Sequence, residues 1–267
     1  MTVAVLTYHA FNISGNEYHN NDHVALESDL RVFLDNGFEV VSLDKAVEAR
    51  QLCDVDQRLV ALTFDDGPSL DVEDFVHPSC GPQKSFYNVM QQFDRRTGRT
   101  TVASAFVIAS PHARTEMDRV DLGGRDWWHD RWWRSATDSG RILIENHSWD
   151  HNHPSLKETA HKNNESGRFD NIDNLAECDA EVRQASDYIA RTAGRRPRYL
   201  AYPWGQSSTY IRSEYLPRQG QSIGLHAAFG AQGRCLAPDD DRWNLPRLVC
   251  GAHWRSPDEL LSLLEAA

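Results

Sequence analysis

Short runs of apolar residues alternate along the chain with longer stretches in which apolar positions recur at helical spacing. Val3–Tyr8 (VAVLTY), Leu59–Thr63 (LVALT), Ala103–Ile108 (ASAFVI) and Ile142–Glu145 (ILIE) are continuous apolar runs, the signature of strands buried on both faces. Glu39–Ser42, Tyr199–Tyr202, Ser222–Ala228 and Leu245–Val249 are shorter segments of the same kind. Between them, Val24–Asn36 predicts a helix stopped by Gly37, and Asp44–Arg50 a helix with Asp44 near its cap. Asn171–Thr192 predicts a long helix before Gly194, Ser208–Arg218 another, and Pro257–Ala266 a C-terminal one. Repeated strand–helix alternation means parallel strands joined by helical crossovers. Eight or so strands in 267 residues predict a single α/β domain, 1–267, closed as a (β/α) barrel rather than left as an open sheet. Residues 68–100 and 111–135 read as long excursions, which in barrels belong at the C-terminal strand ends where active sites sit.

Composition narrows the partners. Hydrophobic residues make up 40% and charged residues 25%, ordinary for a globular chain. With 28 basic against 39 acidic side chains the net charge is −11, so phosphate-rich partners would be repelled: no nucleic acid is expected. No run approaches a membrane span, and residues 1–9 lack the charged and apolar regions of a signal peptide, so the chain as written reads as cytoplasmic. A chain that had lost a leader would read the same. The five cysteines form no CxxC pair and are expected as free thiols.

Two constellations carry chemistry. Asp65 and Asp66 end the Leu59–Thr63 strand and are followed by Gly67-Pro68, which turn the chain away. Adjacent carboxylates at a strand end repel each other, and a cation would offset that cost while leaving one of them free as a base. The competing reading is an Asp-rich turn capping the next helix. The second constellation, His147-Ser148-Trp149-Asp150-His151, follows the strand ILIE. One helical turn would place His147 and His151 on the same face, as two imidazoles sharing a zinc ion require. The competing reading is a polar loop that happens to be rich in histidine. His153 is the weaker ligand candidate, because Pro154 ends any turn there. One Asp and two His with an open fourth position is the catalytic zinc arrangement. Such a site activates water near neutral pH, with Asp65 placed to take its proton.

TFDDG (63–67), H-S-x-x-H (147–151) and AYPWG (201–205), in this order and strand context, resemble the polysaccharide deacetylases, the carbohydrate esterases related to chitin deacetylase and the rhizobial nodulation deacetylase. The resemblance covers roughly residues 1–250. It implies a distorted (β/α) barrel, often seven-stranded, and metal-assisted hydrolysis of an N-acetyl or O-acetyl group on a sugar. It implies Asp65 as general base and Asp66, His147 and His151 as ligands of a divalent metal. Zn²⁺ is the first expectation, while Co²⁺ or Ni²⁺ suit similar ligands. It places Trp204 where the family uses a backbone N–H as oxyanion donor. Two departures stand out: Ala201 replaces the Arg that braces the base, and the usual C-terminal Leu-x-His of the general acid is missing. AYPxG resembles the branch acting on poly-β-1,6-N-acetylglucosamine, which carries Tyr-His at the end of its first strand, as in a circular permutation. Here that is Tyr8-His9, so His9 becomes the candidate acid, with His253 in reserve and His226 behind it. Arg247, in LPRL, is the candidate to contact Asp65 in place of the missing Arg.

Trp127, Trp128, Trp132 and Trp133 fall within seven residues and cannot all face one core from a helix. These four, with Trp128 the leading candidate, are expected to line a sugar groove together with Trp149 and Trp204, and Tyr202 is a further substrate candidate; packing of the excursion onto the barrel is the plainer alternative. Asp130 and Arg131 would bind hydroxyls or pair with each other, and Asp239-Asp240-Asp241 reads as a solvated turn. The leading reading is a deacetylase of an acetylated saccharide. The alternatives are an amidohydrolase of a non-sugar C–N bond and a non-catalytic glycan-binding relic. Oligomeric state is not legible.

Overall fold

The computed structural model describes residues 2–51, 57–160 and 166–266. Its strands are β1 (Thr2–Tyr8), β2 (Glu39–Val41), β3 (Arg58–Phe64), β6 (Ala103–Val107), β7 (Ile142–Asn146), β8 (Tyr199–Ala201), β9 (Ala227–Phe229) and β10 (Leu248–Val249), all in one parallel sheet. A separate antiparallel hairpin, β4 (Phe75–His77) and β5 (Gly81–Gln83), rides outside it. The seven-strand path runs β10-β1-β3-β6-β7-β8-β9. Along β3, β1 pairs with one edge, while β2 takes Leu59–Ala61 and β6 takes Leu62–Phe64 on the other. Leu245 bridges to Phe229 of β9 just before the chain enters β10 beside β1, which carries the curled sheet round toward closure. This is a distorted seven-stranded (β/α) barrel.

Strand alternation divides the core in two. Val3, Val5, Leu59 and Ala61 pack with Phe106, Tyr199, Phe229 and Leu245 from strands around the ring, and so fill the barrel. The residues between them, Ala4, Leu6, Tyr8, Val60, Leu62 and Phe64, face outward onto Leu26, Leu30 and Phe33 of α1 (Asp22–Asp35) and Phe86 of α3 (Phe86–Thr97). Each of the larger of these side chains, Val, Leu and Phe, contributes about 1.5–3 kcal/mol through burial.

The expected elements are present, with four adjustments. α2 is Leu43–Ala49, and Ser42, not Asp44, caps it by accepting from the Lys45 amide. Asp44 instead accepts from Arg198. The supposed strand at Ser222 begins only at Ala227, because α8 (Leu216–Ile223) runs on to Gly224. Within the excursions, α3, α4 (Pro111–Asp121) and α5 (Trp133–Ser139) supply crossovers, leaving shorter true loops. The long helix starts at α6 (Leu175–Cys178), passes through a π turn at Asp179–Arg183, and continues as α7 (Gln184–Ala193). Cys80, Cys178, Cys235 and Cys250 are free thiols; Cys53 lies outside the described residues. Among the described residues no helix is long and apolar enough to cross a membrane.

Candidate active site

The C-terminal ends of β1, β3, β7, β8 and β10 converge on a cavity of about 710 Å³. His9, Asp65, Asp66, His147, His151 and Arg247 are among the residues that line it.

The β3 end is tightly constrained. The Asp65 amide still donates to Tyr8 O, continuing the ladder, and then Asp66 and Gly67 both turn left-handed with φ of 73°. At Gly67 a Cβ would sit 2.5 Å from Val107 Cγ1, so no larger residue fits this turn. The turn splits the two carboxylates. Asp65 is buried and forms a fork with Arg247: Nη1 donates to Oδ1 at 2.7 Å and Nη2 to Oδ2 at 2.9 Å. Arg247 also donates from Nε to Gly230 O and lies over the Phe106 ring, so it is itself fixed. Burial opposes ionisation of Asp65, but the Arg247 guanidinium together with the nearby His147 and His9 outweighs it, and the carboxyl is held down at about 2. Asp66 is not bonded to Arg247; its Oδ1 lies 3.7 Å from Nε2 of both His147 and His151.

His147 and His151 do not share a helical turn, contrary to the spacing argument. Ser148, His151 and Asn152 all have positive φ, each costing on the order of 1 kcal/mol or more. The loop is held by competing hydrogen bonds. Asn146 donates to Val182 O and Ser186 Oγ and accepts from the Ser148 amide. Glu181 Oε2 accepts from the Trp149 and Asp150 amides. Val182 and Glu181 belong to the π turn before α7, so that irregular turn grips the loop carrying both histidines. Burial, reinforced by neighbouring Asp150, pushes the Glu181 carboxyl up. Glu181→Ala is expected to weaken divalent-metal binding about 10- to 100-fold, as loss of a group that orients ligands does. Titration against a chromogenic chelator measures this; unchanged affinity would remove Glu181 from that role.

The donor chemistry fits a borderline divalent cation. His147 Nδ1 donates to Ala201 O at 2.8 Å, which leaves the Nε2 lone pair aimed at Asp66. Burial lowers the proton affinity of both imidazoles, keeping them neutral, as ligands must be. One donor atom each from Asp66, His147 and His151 lies within 4.8 Å of the others. Three protein donors open to a cavity match a catalytic rather than a structural site.

The remaining candidates separate clearly. His9 lines the cavity; its amide donates to Asp22, and its Nδ1 is buried without a hydrogen-bond partner among the described residues. His253 lines it too, with Nδ1 accepting from the Val249 amide. His226 does not: it precedes β9 at the opposite end of the barrel and bonds Arg198. Trp204 is 42% exposed at the rim, with φ of 53° and its ring edge-on to His151 at 4.3 Å. The two hydrogen bonds closing its turn come from the Gly205 and Gln206 amides, not from Trp204. Tyr202 is fully buried, donates to Trp243 O and does not reach the cavity. Trp149 packs edge-on against Tyr188 instead of lining the groove, because its flanking amides are held by the π turn. Of the tryptophan cluster only Trp128 faces the cavity. Its Nε1 donates to Asp66 O, while Trp132 and Trp133 are core and Trp127 packs on Phe75. Asp130 and Arg131 are not partners: Asp130 takes Arg114 and Tyr188, and Arg131 takes Asp126. Asp240 pairs with Arg234.

Sequence reasoning misses Phe11, which packs 4.6 Å from Trp128 on the cavity wall, and Asp121 at the rim. Phe11 stands two residues past His9, a spacing that could have drawn attention to it; Asp121 has no such signal.

A search of curated proteins finds no match to this sequence. Among solved structures, the Streptococcus pyogenes deacetylase PplD, determined with acetate, superposes with a TM-score of 0.64 at 15% identity, covering 99% of this chain and 98% of that one. IcaB from Ammonifex degensii gives 0.64 at 16%, covering 99% and 97%. A de-N-acetylase from Aggregatibacter actinomycetemcomitans gives 0.64 at 17%, covering 98% and 99%. These likenesses establish the fold. The family model for polysaccharide deacetylase matches residues 53–219, more than half of the chain and including Asp65, Asp66, His147, His151 and Trp204. The chain therefore belongs to the polysaccharide deacetylase family.

Proposed function

We propose that this chain hydrolyses the N-acetyl group of an acetylated amino sugar, with Asp65 as general base and Asp66, His147 and His151 holding a divalent cation. The single observation that carries the reading is the division of labour between adjacent carboxylates: Asp65 is clamped by Arg247, while Asp66 faces two neutral imidazoles. Zn²⁺ is the proposed ion, since one carboxylate and two imidazoles suit it; Co²⁺ and Ni²⁺ are the alternatives. The ion would supply Lewis acidity, lowering the pKa of water and polarising the acetyl carbonyl.

The chain's own groups would do the rest. Asp65 accepts a proton from the attacking water, its orientation fixed by the Arg247 fork. The Trp204 N–H would donate to the oxygen that gains charge, an interaction worth about 3 kcal/mol in comparable sites. His9, which lines the same cavity, would give a proton to the nitrogen as the C–N bond breaks, releasing acetate and the sugar amine. Trp128 and Phe11 form an apolar wall against which a sugar face can pack.

The test is acetate release from N-acetylglucosamine oligomers, before and after chelation and with metal restored. Metal-dependent acetate is expected. No acetate from any saccharide at one equivalent of bound metal would move the reading to a non-sugar amide. His9→Ala should lower kcat about 10²–10⁴-fold with metal retained. A wild-type rate in that variant would transfer the acid role to His253.

A further inference from the structure

The acids and bases around the cavity do not balance. Three acids line it: Asp65, Asp66 and Asp121. Arg247 is committed to Asp65, and Asp66 faces the two histidines. Asp121, at the C-terminal end of α4, is left over. Its side chain is 39% exposed, and both of its oxygens accept from Ser155 Oγ at 2.9 Å. Among the described residues no lysine or arginine pairs with it. The nearest ring nitrogen, His153 Nδ1, stands 4.0 Å away and accepts from the Ser155 amide, so it has no proton to offer.

The surroundings of Asp121 suit a sugar. The His153 ring lies 5.6 Å from the His151 ring and its Nδ1 4.0 Å from Asp121, and Asp121 lines the same cavity as Asp66, His147 and His151. Trp204 stacks on His153 at an interplanar angle of 24° and leaves much of its ring exposed. An aromatic face beside an unmatched carboxylate recognises the apolar C–H surface of a sugar that carries a positive charge. The overall charge of −11 favours approach of such a ligand.

We propose that Asp121 and Trp204 form a subsite for a de-N-acetylated amino sugar next to the acetylated sugar being cut. This inference rests on the deacetylase reading and narrows it. The preferred substrate is a partly deacetylated oligosaccharide, whose free amine is an ammonium group near neutral pH. The reaction that feeds this site is then an earlier deacetylation of the same chain, and each turnover creates the group that the subsite recognises.

The experiment compares kcat/KM for acetate release from two glucosamine oligomers of equal length, one fully N-acetylated and one with a single free amine beside an acetylated residue. Wild type is expected to favour the amine-bearing oligomer about two- to fivefold, the range for a partly exposed charge pair. Asp121→Asn, which keeps an acceptor for Ser155, should bring the ratio close to one, and high salt should do the same in wild type. Equal rates in wild type, or a preference that survives in Asp121→Asn, would overturn the subsite. Calorimetry with fully deacetylated glucosamine oligomers separates this inference from the reading beneath it. If neither oligomer releases acetate, amine-dependent binding that Asp121→Asn weakens would still support the subsite while the deacetylase reading falls. Absence of such binding would overturn the subsite as well.

Discussion

Asp65→Asn should retain the metal and lose nearly all turnover. The amide cannot take a proton from water, and loss of a general base costs about 10²–10⁴-fold in kcat. The three proposed ligands keep their side chains in this variant, and the hydrogen bonds of Asp65 go to Arg247 rather than to them. The substitution also opposes an amide N–H to a guanidinium N–H, so some stability should be lost, about 1–3 kcal/mol for one unsatisfied buried donor. Elemental analysis and acetate kinetics on the same sample decide the matter. Full activity would exclude Asp65 from the mechanism, and lost metal would make it a ligand.

Arg247→Ala has the largest expected effect on stability. It strips the guanidinium from a buried carboxylate and should cost about 3–5 kcal/mol, a large part of a typical stability of about 5–15 kcal/mol. The pH dependence should change sign. In wild type the Asp65 carboxyl is held down at about 2, below the ordinary value near 3.9. Its contribution to stability is therefore fully present above pH about 4 and lost as pH falls toward about 2. Without Arg247, burial would push the carboxyl above its ordinary value, and the variant would instead lose stability as pH rises through the new, higher value. Chemical denaturation across acidic and neutral pH reads both slopes. An Arg247→Ala protein as stable as wild type, with the same pH dependence, would show the fork to be energetically idle. Arg247→Lys keeps the charge but not the paired geometry and should fall between the two.

Much of this was legible in the sequence because it depends on local pattern. Continuous apolar runs located the buried strands, and TFDDG at the end of one of them placed two carboxylates at a strand terminus. The His147–His151 spacing pointed to a shared site for a reason that the structure replaces: the two rings converge through a left-handed loop, held by partners more than thirty residues away. No local pattern reveals that Glu181 and Val182 reach that loop, because a π turn leaves no periodic signature. The tryptophan cluster misled for a related reason. Residue type marked all four as groove candidates, but only the path of the excursion decides that Trp128 faces the cavity and Trp133 the core. Asp44 failed as a cap because Ser42 stands at the position where the chain turns helical.

The fork between Asp65 and Arg247 joins positions 182 residues apart in the chain. His9 enters from β1, Arg247 from just before β10, and these two strands lie side by side. The base and its brace are thus united only when that seam is joined. A nascent or nicked chain with the rest of the sheet in place would have its ligands for metal but no held base. Competence for catalysis should therefore track the integrity of that seam, and loosening β10 from β1 should silence the base before it disturbs the candidate metal ligands.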